Sequence, residues 1–264
     1  VGGDGSYGVI DRSGQLVVPM EYEWIEGFER GPSRVRKGGR TGLVNAMGTV
    51  LMEPMHDHIG AYQDGLALVV DGSRCGYVDT AGVFVVPQEY EAANDVATWG
   101  EFTNGRAEVQ VGGKRGLIDR SGRRVVACQY VDVGGTKGPL FPVKKKHKWG
   151  FVDGNGAAVH EGRYDQVWDF VDGVSRVQVG GLFGAVDTTG RELIPPTLTV
   201  LNDARFGHLV GGMVLLGVFD RSGKAVIPAE HEEVQLISAQ VARVRNGERI
   251  AYRSLSDGHY IWRE

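Results

Sequence analysis

The sequence predicts an all-β fold, a β-propeller of seven or eight short four-stranded blades, from three observations. One seven-residue segment recurs seven times at intervals near 34 residues. Glycine supplies 41 of the 264 residues while proline stays at nine, and that glycine share is about twice the usual one. No window sustains the 3.6-residue period of an amphipathic helix, so helices should be scarce.

The recurring segment reads GVIDRSG from Gly8, GLVNAMG from Gly42, GYVDTAG from Gly76, GLIDRSG from Gly116, GFVDGNG from Gly150, GAVDTTG from Gly184 and GVFDRSG from Gly217. Successive anchors lie 34, 34, 40, 34, 34 and 33 residues apart. The fourth place is always Asp or Asn (Asp11, Asn45, Asp79, Asp119, Asp153, Asp187, Asp220), and the seventh is always Gly (Gly14 to Gly223). An Asp opening a turn can bond its own backbone two residues on, and a left-handed Gly then closes a short bulged loop between antiparallel strands. Turn formation thus accounts for both places without any chemistry.

The flanking residues alternate as strands do. Val9 and Ile10 precede the first turn, with Leu16, Val17 and Val18 after it. Fourteen residues past each anchor stand Tyr22, His56, Tyr90, Tyr130, Tyr164, Leu198 and His231. Pro recurs at Pro19, Pro87, Pro195 and Pro228, and a Val closes the unit at Val35, Val69, Val109, Val143, Val177 and Val244. A second strand pair is expected from Tyr22 to Ile25 and from Ser33 to Arg36, with Lys37-Gly38-Gly39-Arg40 linking to the next anchor. One such unit buries too little to offset its chain entropy, so units must stack. Stacking makes residues 1–264 one array. About half a unit remains beyond Val244, at Arg249–Tyr252 and Gly258–Trp262, to complete a first blade or start an eighth. An open superhelix of hairpins is the competing architecture.

Lys148-Trp149-Gly150-Phe151-Val152-Asp153-Gly154-Asn155-Gly156, continued by Tyr164-Asp165, Phe170 and Gly173, resembles the bacterial WG-repeat (KWG-repeat) family. Pro19 with Tyr22 and Pro87 with Tyr90 extend the likeness over nearly the whole chain. The Trp before the anchor survives in the fifth unit alone; Tyr7, Thr41, Cys75, Arg115, Phe183 and Leu216 stand there elsewhere. The resemblance implies a repetitive β architecture, often one part of a larger bacterial protein, with an interaction role and no catalytic residues to carry over.

The net charge of −4 and pI near 6.0 argue against a nucleic-acid partner. No apolar run nears the ~20 residues of a membrane span. The chain starts at Val1 without Met, so no compartment is assigned. Cys75 and Cys128 read as free buried thiols.

A ring of seven Asp/Asn residues invites a metal reading, but calcium needs oxygens clustered at neighbouring positions, and turn capping explains the ring. His56-Asp57-His58 could offer zinc ligands, yet His56 occupies the Tyr place and reads as a packed ring. Neither a cofactor nor a metal is expected. Lys144-Lys145-Lys146-His147-Lys148 reads as a solvated edge that resists strand pairing, with an acidic or nucleic-acid partner as the alternative.

In a repeat protein, packing residues recur and functional residues tend to break the repeat. Trp24, Trp99 and Trp168 break it. Trp24 and Trp168 lie two and four residues past the repeat Tyr, on one strand face, which suits the core. Trp99 stands in the six-residue insertion of the third unit, within Asn94 to Gly100, and loops on a rigid scaffold often carry function. The expected partner-binding residues are therefore Trp99, Phe102, Asp95 and Glu101, with Trp24 and Trp168 beside them. The expected function is a non-catalytic protein–protein interaction or scaffolding module that binds another protein or another domain of its own polypeptide. The alternatives are a small-ligand or carbohydrate-binding propeller, and an enzyme with a channel site.

Overall fold

The Asp-x-x-Gly segments fold into the predicted turns. The computed structural model describes residues 2–3, 5–28, 31–92, 100–135, 138–171, 173–202, 205–210, 213–220 and 222–264. Asp11 Oδ1 accepts from the Ser13 and Gln15 amides at 2.8 and 3.0 Å, and the Gly14 amide donates to Asp11 O at 3.1 Å. Asn45 serves Met47 and Thr49 in the same way, as Asp220 serves Ser222 and Lys224. The seventh-place glycines have φ between 77° and 86°, where a Cβ is strained. The Ser13 hydroxyl, then the Gln15 amide, hold the Asp11 carboxyl below its ordinary range, because both bonds favour the ionised form.

The anchor glycines are needed for a different reason. Their φ is ordinary, but the strand beside them carries a bulge at that point, with register shifts between Thr41 and Leu43 in the second unit. A Cβ on Gly42 would stand 2.6 Å from Met52 O, one on Gly8 2.6 Å from Val18 O, and one on Gly184 2.6 Å from Ile194 O. Across the other edge the closing valine faces the next anchor, as Val35 faces Gly42, Val69 faces Gly76 and Val177 faces Gly184.

The strands divide between two units, residues 1–136 and 137–264. In the first, Gly2–Gly3, Ser6–Ile10 and Leu16–Tyr22 pair in order, followed by Trp24–Ile25, Ser33–Lys37, Arg40–Val44 and Val50–His56. His58–Ile59, Leu66–Asp71, Arg74–Asp79 and Phe84–Glu91 form the next sheet, and Arg106–Val111, Lys114–Asp119 and Arg124–Tyr130 a fourth. The second unit opens with Leu140–Lys145, Lys148–Asp153 and Ala158–Tyr164. Gln166–Val167, Val174–Val179, Leu182–Asp187 and Glu192–Leu198 follow, then Val200–Asn202, Arg205–Val210, Met213–Phe219 and Ala225–His231. Glu233–Leu236, Val241–Asn246, Arg249–Ser254 and Tyr260–Arg263 make the last sheet. All pairing is antiparallel between sequence neighbours, and no helix occurs among the described residues.

One expectation is corrected. Tyr22 and Trp24 do not share a strand: the chain bends at Glu23, so Tyr22 ends one sheet and Trp24 begins the next. Each sheet therefore joins the second half of one sequence unit to the first half of the following one. The residues beyond Val244 supply the last two strands of the sheet that starts at Glu233, and Ala251 takes the anchor place opposite Val244. Ser254 takes the Asp place, its Oγ accepting from the Ser256 amide at 3.1 Å, and Gly258 closes the turn at φ 77°.

Tyr22, Tyr90, Tyr130, Tyr164, Leu198 and His231 are all buried. Each faces the residue before its anchor, so Trp149 lies opposite Tyr164 and Cys75 opposite Tyr90. In the first unit Val18, Tyr22, Val35 and Val44 share one core and Leu43, Ile59, Val69 and Val78 another. In the second, Phe151, Tyr164, Val177 and Val186 pack together. Cys75 is a buried free thiol, pushed up to about 11 by burial, whereas Cys128 is only half-buried.

Turn glycines also approach the outer strand of the preceding sheet. A Cβ on Gly122 would meet Val86 Cγ2 at 3.1 Å, whereas nothing lies within 4 Å of one on Gly14. Gly122→Val is expected to cost about 1–3 kcal/mol through the strained φ and this contact, and Gly14→Val less, through φ alone. Urea unfolding of both variants measures the difference, and equal losses would remove the stacking role.

Candidate functional site

The acid after the repeat Tyr is absorbed by the fold. Asp57 accepts from the Gly72 amide at 2.6 Å, Asp165 from Gly180 at 2.7 Å and Glu232 from Gly247 at 2.9 Å. These amides belong to two-residue hairpin links whose first residue has φ near 59° in Gly38, Gly112, Gly180 and Gly247. The basic run is one of these links, with Lys146 at φ 56° in place of Gly. Lys145 pairs with Glu161, Lys148 with Asp165, and Lys144 lies 5.4 Å from the Trp149 ring. His56 is held by Asp71 at 2.8 Å. Among the described residues no three His, Cys, Asp or Glu side chains converge as metal ligands.

In the first unit Trp24, with 44% of its surface exposed, starts the Trp24–Ile25 strand, and the Arg34 guanidinium stands 5.6 Å from its ring. Arg34 donates from Nε and Nη2 to both oxygens of Glu26 at 2.7 and 2.6 Å, and from Nη1 to Ile59 O at 3.1 Å. A fork-on-carboxylate pair holds both side chains in one orientation. Next door, burial and then the Arg34 charge depress His58, while the Glu101 carboxylate acts in the opposite sense. Arg34 thus touches Trp24 and Glu26 and acts on His58, which also feels the Glu101 charge.

The insertion lies between Ala92 and Glu101 in the chain. Its stem is fixed by Ala92 N donating to Ser73 O at 2.9 Å and by the Tyr77 hydroxyl donating to Gly100 O. Phe102, expected at the partner surface, is 3% exposed and packs edge-on against Tyr77 at 4.9 Å. It is corrected to a stem anchor, since a Phe two residues past Gly100 reaches the core of its own sheet. Glu101 is half-buried, and Trp99 and Asp95 lie outside the described residues. The core role expected for Trp24 fails because the bend at Glu23 breaks the strand phase. Trp168 is half-buried over Arg176, its ring 4.0 Å from the guanidinium. The sequence reading passed over Arg34 and Glu26 and weighed His58 only as a zinc ligand. The available signal was an Arg eight residues before the anchor place in three units, at Arg34, Arg176 and Arg243.

The family model for the WG-containing repeat matches residues 7–40, 76–114, 116–149 and 149–183, more than half of the chain. The chain belongs to the WG-repeat family. Its Trp-Gly step is thus the cross-strand partner of the repeat Tyr plus the glycine at the bulge, and its Tyr-Asp step packs a ring and docks a hairpin link. No curated protein matches this WG-repeat chain. Among solved structures, a eukaryotic initiation factor is similar at 13% identity and a TM-score of 0.39, covering 97% of this chain and 81% of that one. Hsv2 from Kluyveromyces lactis is similar at 7% identity and 0.34, covering 89% and 96%. PorZ, a surface component of the type-IX secretion system of Porphyromonas gingivalis, is similar at 13% identity and 0.31, covering 92% and 38%.

Proposed function

We propose that this chain is a non-catalytic protein–protein interaction module whose partner is another protein or another domain of the same polypeptide. The carrying observation is Trp24, a large ring left 44% exposed beside an ordered Arg34–Glu26 pair. Recurring residues are consumed by turns, bulges and packing, whereas Trp24 breaks the repeat and stays exposed. An aromatic anchor beside a preorganised charge pair is the usual make-up of an interface hot spot. Glu101, whose carboxylate acts on His58, belongs to the same proposed contact.

The test is capture by the immobilised protein, comparing wild type with Trp24→Ala. A protein retained by the wild type is expected to bind Trp24→Ala about 30-fold more weakly, a loss of about 2 kcal/mol. Stability should change by about 0.5 kcal/mol or less. Trp99→Ala is the parallel variant for the loop. Equal capture by all three would move the interface away from Trp24 and Trp99, and a glycan array in which several sugars bind while no protein does would replace this reading with a carbohydrate-binding one.

The finer architecture belongs to the same proposal: the sheets are propeller blades, eight rather than seven. Short first strands and antiparallel meanders support it. Small-angle scattering should give a radius of gyration near ~18 Å for a closed chain of this length, and a clearly larger value would favour the open superhelix.

A further inference from the structure

Arg34 and Arg176 occupy the same place in their sheets. Arg34 pairs with Leu43 and Arg176 with Ala185, each one residue past the anchor glycine. Each is preceded by a fully buried serine whose hydroxyl donates to a backbone carbonyl seven residues earlier, Glu26 O for Ser33 and Trp168 O for Ser175. Each guanidinium sends Nη1 to the carbonyl of the next short strand, Ile59 O at 3.1 Å and Leu201 O at 2.9 Å. Each also lies over a tryptophan, Trp24 at 5.6 Å and Trp168 at 4.0 Å.

The two places differ in one respect. In the first unit the residue seven before the serine is Glu26, whose carboxylate takes the Nε and Nη2 edge of Arg34. In the second unit that residue is Trp168. Among the described residues Arg176 has no acidic partner, and its Nε is buried without a hydrogen-bond acceptor. Phe183 stands 5.5 Å away on the same guanidinium and 5.9 Å from the Trp168 ring. A guanidinium cannot shed its proton to escape such a setting. A half-buried permanent cation, flanked by two aromatic rings and bonded to one carbonyl, is left with donor capacity that matches a carboxylate.

We propose that Arg176, with Trp168 and Phe183, is a receptor for a carboxylate of the partner protein, an Asp or Glu side chain in an acidic segment. The partner supplies from outside what Glu26 supplies to Arg34 from within. This rests on reading the chain as a protein-interaction module and adds the chemistry of what it recognises.

The test measures fluorescence polarisation of a labelled, capped tetraglutamate peptide on the whole chain at low and high salt. Capped tetraglutamine and an oligothymidylate of similar charge serve as controls. Wild type should bind tetraglutamate at least tenfold better than either control, and Arg176→Gln should lose that preference. Arg176→Gln removes a packed side chain, so Trp168→Glu is the deciding variant. It places a carboxylate where Glu26 stands, and should lose tetraglutamate binding by at least tenfold with an unchanged or higher melting temperature. A merely structural Trp168 would lower the melting temperature and leave any binding untouched. In the first unit Glu26→Gln should free Arg34 and raise the peptide stoichiometry. Equal binding by wild type and Trp168→Glu, or no preference over tetraglutamine, would overturn the proposal. Preference for the oligothymidylate would overturn it in favour of a nucleic-acid surface. Partner capture that depends on Trp24 but is indifferent to Trp168→Glu would reject this site while leaving the interaction role standing.

Discussion

Gly42→Ala is expected to lower stability by about 3–4 kcal/mol and the melting temperature by roughly 10 °C, at the 2–4 °C per kcal/mol typical of chains near this size. The added Cβ would stand 2.6 Å from Met52 O, 2.7 Å from Pro54 N and 2.9 Å from Glu53 C, all backbone atoms. A side chain in the way could change rotamer; a paired strand has to move as a whole. Overpacking commonly costs about 1–3 kcal/mol, and here the displaced strand also carries Met52, which packs in the core with Leu43 and Ile59. The last sheet supplies a natural control. Ala251 is tolerated at the anchor place because its neighbour pairs regularly, Ala251 with Arg263 and Tyr252 with Trp262, and the register shifts only beyond Tyr252. Thermal unfolding of Gly42→Ala measures the effect. A variant that melts with the wild type would show that the bulge opens freely and that close approach is not why the glycine recurs.

Phe102→Ala should cost about 3–5 kcal/mol, the range for truncating a buried Phe. The ring packs with Leu68, Tyr77, Tyr90 and Ala107 in one core. Gly100 at φ 83° and the Tyr77 hydroxyl on its carbonyl fix the chain just before it. Loss of Phe102 should therefore loosen the insertion stem together with the sheet below. Calorimetry on Phe102→Ala and Phe102→Leu, the second expected to retain more than half of the lost stability, tests this. If Phe102→Ala melts like the wild type and fails only in partner capture, the residue belongs to the recognition surface after all.

The candidate site was legible only in part. That Trp24, Trp99 and Trp168 break the repeat is visible in the sequence, because residues required by every turn and bulge recur with the period. That Trp24 and Trp168, at different offsets from the repeat Tyr, each cover the arginine of the same register place is not visible. Arg34 and Arg176 lie ten and eight residues beyond their tryptophans, and only strand pairing equates them. Phe102 misled for the reverse reason: nearness in sequence to an insertion says nothing about which side of the stem a ring occupies.

The sequence by itself determined the period, the antiparallel hairpins, the turn chemistry of Asp and Gly, and membership of the WG-repeat family. These depend on local backbone conformation and on hydrogen bonds within a few residues, which a short motif encodes completely. The tertiary structure alone decided that each sheet straddles two sequence units and that the anchor glycine serves a bulge. It likewise decided that Arg249–Ser254 and Tyr260–Arg263 complete the sheet begun at Glu233, and that Glu26 fills at Arg34 the place left to Trp168 at Arg176. Those outcomes depend on which strands pair and in what register, and a bend of one residue after the repeat Tyr reassigns every side chain that follows.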